Sequence, residues 1–168
     1  IPKMGATGFA YDVARRFGLR VTETLPALVP LTATPEMLGV AEPLAGVSLE
    51  AVASCNGQSF RENILFTHRG LSGPAILQIS SYWRQGDTIA LDLLPAHDAN
   101  SVLLERKRAR PKVEAKTLLA EILPARLAHA LSAGLPDGTV ANIPDRVLSA
   151  FAAKLKRFEV RPAGSEGW

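Results

Sequence analysis

The chain has 168 residues, of which 47% are hydrophobic, with a net charge of +3 and a pI near 9.3. These values fit one globular domain or two small lobes. No apolar run approaches eighteen residues, so no membrane-spanning helix is expected. Nineteen Lys and Arg against sixteen Asp and Glu make no nucleic-acid stripe unless they are strongly segregated. Cys55 is the single cysteine, which rules out an internal disulfide and fits a reduced, cytoplasmic setting. The chain starts at Ile1 without a charged-then-apolar leader, so neither secretion nor insertion is expected.

In chain order, Phe9, Val13 and Phe17 recur at four-residue spacing and Gly18 follows, which predicts a short amphipathic helix over Thr7–Phe17. Leu19–Thr22 and Leu28–Leu31 read as strands or extended crossings, and Pro35–Pro43 as a loop or single turn. Val47–Arg61 predicts a hairpin about Asn56-Gly57, the preferred two-residue turn, and Glu62–Phe66 continues as a strand. Thr67-His68-Arg69-Gly70 is a polar turn, and Ser72-Gly73-Pro74 opens a helix whose face carries Ile76, Ile79 and Trp83, ended by Gln85-Gly86-Asp87. Thr88–Leu94 is a strand stopped by Pro95. Past Ala96 the composition turns to helix formers. Helices are expected over Ser101–Arg110, Ala115–Leu123, Ala125–Ala133 and Asp145–Phe158, separated by Pro124, Pro136 and Pro144, with a return strand at Phe158–Arg161.

The expected fold is therefore α+β, with a small β-barrel-like lobe over 33–95 and an all-helical lobe over 96–157. Residues 1–32 and 158–168 would be the entry and exit.

The junction Phe60–Ser80 concentrates the polar chemistry. His68 supplies an imidazole that exchanges protons near neutral pH, and Arg69 a guanidinium that clamps a carboxylate or a carbonyl. Against this stands a plain turn with a solvated arginine. Ser72 and Gly73 sit where the N–H groups of a helix start face any nearby oxygen, a property every capped helix shares. Gly70-Leu71-Ser72-Gly73 misses the G-x-S-x-G nucleophile elbow by one residue. His97 and His129 lack acidic or Cys neighbours at ligand spacing, so no metal site is expected. Arg106, Lys107, Arg108, Arg110 and Lys112 form the one charge run. It reads as a solvated helix end rather than a nucleic-acid contact, since no aromatic is interleaved to stack on bases.

Phe60–Trp83 resembles the signature of the YhiN/BaiN-like flavoproteins, FAD-dependent oxidoreductases of the aminoacetone-oxidase-like kind. Ile1–Gly18 resembles the family segment after a Thr-Gly-Gly turn of the FAD domain, and Pro26–Leu31 and Arg161–Trp168 resemble the entry to and exit from an inserted domain. No GxGxxG is present, and the family's closing FAD-contacting segment would come after Trp168. The resemblance implies the inserted, substrate-covering middle of a larger flavoprotein, flanked by stubs of an α/β FAD-binding domain and inactive alone. It implies His68 and Arg69 as catalytic, and Thr67, Gly70, Ser72 and Gly73 as substrate-binding. Pro2, Lys3, Gly5 and Gly8 would lie beside FAD. The expected partners are the missing FAD-binding segments and a small-molecule substrate, with no membrane and no nucleic acid. The alternative is a protein- or nucleic-acid-binding module that uses the basic helical lobe.

Overall fold

The computed structural model describes residues 7–167. Its central feature is one seven-stranded, wholly antiparallel sheet, so the α+β expectation holds. The strands are β1 (Leu31–Thr32), β2 (Ser48–Cys55), β3 (Gln58–Thr67), β4 (Gly70–Ser72), β5 (Ile89–Asp92), β6 (Phe158–Val160) and β7 (Gly164–Ser165). Their spatial order is β6-β5-β2-β3-β4-β1-β7. The two outermost strands are consecutive in the chain, joined only by Arg161-Pro162-Ala163, so the sheet curls until its edges nearly meet. That is the geometry of an almost closed barrel.

The hairpin β2–β3 sets the register. Asn56 and Gly57 form its turn, both at positive φ, and Cys55 pairs with Gln58 while Ser48 pairs with Leu65. Period-two alternation then turns Ala51, Ala53 and Cys55 inward from β2, and Ile64 and Phe66 from β3. A one-residue slip would expose that whole row. Asn56 also donates from Nδ2 to the Tyr82 carbonyl at 3.0 Å and to Asp87 Oδ2 at 2.7 Å, tying the turn to the connection before β5.

Seven α-helices are found among the described residues: α1 (Phe9–Arg16), α2 (Pro35–Ala41), α3 (Pro74–Ser80), α4 (Ala99–Ala109), α5 (Ala115–Leu119), α6 (Ala125–Ser132) and α7 (Asp145–Lys156). In the helical segment α4 packs on α7 and α5 on α6. Leu103, Leu118, Leu119, Leu127, Leu148 and Leu155 are all buried there. Burial of each such side chain contributes about 1.5–3 kcal/mol. The core is continuous from Leu31 in the sheet to these helices. Polar ties cross between the two parts as well. Leu93 N–H donates to the Leu155 carbonyl at 2.9 Å, and the Arg126 guanidinium donates to the carbonyls of Ala45 and Pro43.

Several local expectations change. Pro35–Pro43 is not a loop: the Thr34 hydroxyl accepts from Met37 N–H at 3.3 Å, Pro35 occupies the first turn, and α2 results. Leu19–Thr22 forms no strand, and of the second expected crossing only Leu31 enters one. The third helix stops at Ser80, so Trp83 lies beyond it, buried and donating from Nε1 to the Asp87 carbonyl. No residue of α1 is buried among the described residues: Phe9 is 70% exposed, and Phe17, which caps the helix, 81%.

Candidate functional site

Thr67-His68-Arg69-Gly70 is a two-residue hairpin turn. Thr67 pairs with Gly70 across it, and a strand, β4, stands between the turn and helix α3 where the sequence predicts a direct step to helix. The Thr67 hydroxyl accepts from Arg69 N–H at 3.2 Å, and the Arg69 carbonyl accepts from Ala33 N–H at 2.8 Å, which fixes the turn. Both side chains of the expected catalytic pair project into solvent. His68 has no hydrogen-bond partner among the described residues. Arg69 reaches Glu166 at 3.2 Å, linking this turn to the chain just after β7.

The two glycines have structural reasons to be glycine. Gly70 sits at φ +147, and a Cβ on it would meet the Leu31 carbonyl oxygen at 2.3 Å. Gly73 sits at φ +92, where a Cβ would meet the Asn63 carbonyl oxygen at 2.7 Å. Both contacts are with neighbouring strands, so this spacing records how the sheet packs. Ser72, paired with Leu65, is half-buried. Helix α3 is a seven-residue element whose first turn holds the fully buried Ala75 and Ile76, so its start opens into the core. Of the expected cofactor-side residues, Pro2, Lys3 and Gly5 lie outside the described residues. Gly8 precedes α1 with open space around it.

The charge run resolves into two kinds of residue. Arg106 and Arg110, one helical turn apart, both pair with Glu121. Lys107 Nζ donates to the Ile143 carbonyl and to Asp145, each at 2.6 Å. These three cations tie α4 to the turn after α5 and to the start of α7. Arg108 and Lys112 are exposed and have no such partner among the described residues. The overall balance is segregated. Residues 96–157 hold eleven Lys and Arg against six Asp and Glu, net +5, whereas the remaining residues sum to −2. This signal was available to simple counting by segment and is invisible in the whole-chain value of +3.

A cavity of about 400 Å³ opens beside this run, between the start of α5 and the end of α6. Glu114, Lys116, His129 and Asp137 stand around it, with Leu135 in its wall. His129 therefore shares a space with two carboxylates that lie far from it in sequence, which no local spacing reveals. Among the described residues no three His, Cys, Asp or Glu side chains converge as metal ligands. No helix is long and apolar enough to cross a membrane.

The fold defines a class: an antiparallel barrel carrying a basic helical bundle. Residues 25–168 match the family model described as HI0933-like protein barrel and H2TH domain, so the chain belongs to that family. It is 42% identical over 171 residues to a ribosomal RNA dihydrouridine synthase of Escherichia coli (strain K12), covering all of this chain and 43% of that protein. It is 36% identical over 173 residues to a ribosomal RNA dihydrouridine synthase of Haemophilus influenzae (strain ATCC 51907 / DSM 11121 / KW20 / Rd), covering all of this chain and 42% of the relative. The chain thus spans about two fifths of the length of these curated relatives.

The match and both names overturn the assignment to the aminoacetone-oxidase-like oxidoreductases as their inserted region. The physical reason lies in the motif itself. Gly70, Ser72-Gly73-Pro74 and the hairpin before them are dictated by strand and helix packing, so they track the barrel and not the reaction. Both names also specify ribosomal RNA, against the expectation that nucleic acid is no partner of such a protein.

Proposed function

We propose that this chain is the RNA-holding part of an enzyme that reduces uridine in ribosomal RNA. The observation that carries the reading is the charge segregation, +5 on residues 96–157 against −2 elsewhere. It supplies the basic footprint that phosphate binding needs. The relatives' names supply the polymer. Arg108 and Lys112 are the cations free to meet phosphates, because Arg106, Lys107 and Arg110 are engaged within the protein. The missing aromatics are no obstacle in this reading, since phosphate contacts position RNA without stacking on it.

Dihydrouridine is uridine with its C5–C6 double bond saturated, so the whole enzyme needs a source of two electrons. FAD is the cofactor we propose for that whole enzyme. Gly8, the one described residue among those expected beside it, has open space around it and forms no cradle. In the same reading His68 and Arg69 are proposed to face the substrate nucleoside from the hairpin tip, with Thr67, Gly70, Ser72 and Gly73 shaping the turn. Arg69 is oriented by Glu166.

The test is fluorescence anisotropy of a labelled ribosomal RNA fragment with the chain, across salt concentrations. Binding should weaken linearly in log–log form, and replacing Arg108 and Lys112 by alanine should lower the slope by about one per cation. An unchanged slope in the double variant, or no salt-sensitive binding, refutes the reading.

A further inference from the structure

We infer that the RNA held by this chain is double-helical where it meets the helical segment, and that Arg146 joins Arg108 and Lys112 in contacting its phosphates. This rests on the RNA-holding reading above and deepens it by naming the form of the nucleic acid and a third cation. The three lie at one end of the α4–α7 pair. These helices run antiparallel, because Lys107 in the last turn of α4 meets Asp145 at the start of α7, whereas Lys156 in the last turn of α7 meets the His97 carbonyl ahead of α4. Beyond α4 the chain is bonded along the approach to α7: Ala141 N–H donates to the Pro111 carbonyl at 2.9 Å and Val140 N–H to the Val113 carbonyl at 2.8 Å. Arg108, Lys112 and Arg146 are thereby gathered on one edge, each exposed and none with a side-chain partner among the described residues. Asp145, beside Arg146, does not cancel it. Lys107 first, and Arg108 in addition, hold that carboxyl below its ordinary range, so its charge is answered from within the protein.

Two observations select a duplex over an unpaired strand. The first is the character of the surface. Proteins take unpaired RNA by stacking its bases on exposed rings. Phe151 is the one aromatic residue of 96–157 and it is buried, while the exposed large hydrophobic side chains among the described residues lie between Phe9 and Tyr82, outside this segment. The edge therefore offers cations and no platform. The second is rigidity. Lys107 Nζ on the Ile143 carbonyl at 2.6 Å, and Glu121 on Arg106 and Arg110, pin the backbone that carries the three free cations, so their spacing is preset. A double helix presents its phosphates at constant spacing and is recognised through shape and backbone. It meets a preset array without the ordering cost that a flexible strand would add.

The experiment measures anisotropy of a fully paired RNA hairpin and of an unpaired uridine oligomer of the same nucleotide number, with the wild-type chain, Arg146→Ala and Lys154→Ala. Lys154 is an exposed cation at the far end of α7, about 12 Å along the helix from Arg146, and serves as the control. Circular dichroism verifies the fold of each variant. The hairpin should bind about tenfold tighter than the oligomer, and Arg146→Ala should lower its salt slope by about one while Lys154→Ala leaves the slope unchanged. Equal or tighter binding of the unpaired oligomer, or equal slope losses in the two variants, overturns the duplex assignment but leaves RNA holding intact. Absence of salt-sensitive binding to either RNA refutes both.

Discussion

Lys156 Nζ lies 2.6 Å from Asp92 Oδ2, joining the last turn of α7 to the end of β5. The same ammonium donates to the Leu94 carbonyl at 2.9 Å and the His97 carbonyl at 3.1 Å, and Asp92 Oδ1 accepts from Leu94 N–H at 2.9 Å. One cation thus gathers the strand end that leads out of the barrel into the helices. Lys156→Met, which keeps the apolar stem, should cost about 1–2 kcal/mol, reduced from a fully buried value because the pair is partly solvated. Chemical denaturation reads this directly, and a variant as stable as the wild type would deny the linkage any energetic role.

Gly70→Ala should be far more damaging. A methyl group there meets the Leu31 carbonyl oxygen at 2.3 Å in a backbone conformation that side chains disfavour. We expect a loss of about 2–4 kcal/mol. Gly39→Ala is the matched control, since that residue lies on an exposed face of α2 with nothing within 4 Å, and it should stabilise by about 0.5–1 kcal/mol. Equal effects at the two positions would contradict the close approach of β4 to β1.

Acid should loosen the starts of α4 and α7. Ser101 N–H and its hydroxyl, bonding to the Asp98 carboxylate at the start of α4, hold its pKa below the ordinary 3.8, and Lys107 does the same for Asp145. A carboxylate with a lowered folded pKa contributes stability above its unfolded value, and that contribution disappears as pH falls below about 3.8 through the folded value. Asp98→Asn retains a capping oxygen without titrating, so its Tm should fall less than wild type between pH 5 and pH 2. Parallel Tm profiles would rule out this linkage.

Burial, with the Asp87 charge as a second cause, pushes the Cys55 thiol above its ordinary value. Its reaction with a disulfide reagent at pH 8 should be about a hundredfold slower in the native chain than in denaturant. Comparable rates would place Cys55 outside the core.

For the hairpin tip the decisive measurement is made on a whole enzyme that carries this domain. His68→Ala with Arg69→Ala should lower turnover by about a hundredfold and leave the affinity for RNA unchanged. Full turnover would remove the pair from the reaction.

The sequence carries the hairpin about Asn56-Gly57, the strand at Thr88–Leu94 and the positions of the four long helical stretches, because each is written in local periodicity and turn chemistry. It does not carry β4 or β7. Three- and two-residue strands have too few alternations to show a period, and they exist because β3 and β1 are there to pair with. Helix α2 had a legible start in Thr34-Pro35-Glu36 that the later Pro43 obscured. The roles within the charge run were not legible, because Glu121 neutralises Arg106 and Arg110 from the turn after α5. Motif resemblance located the barrel and misled on activity, since the glycines behind it answer to neighbouring backbone.

The joining of β6 to β7 by three residues has a consequence for biogenesis. Both flanks of the sheet are supplied by the segment Phe158–Ser165, one against β5 and the other against β1. During synthesis the first five strands emerge with unsatisfied margins, and no intermediate can seal them until that last piece leaves the ribosome. A stalled or clipped product ending at Arg157 would lose both hems at once and present two naked strand edges to its neighbours.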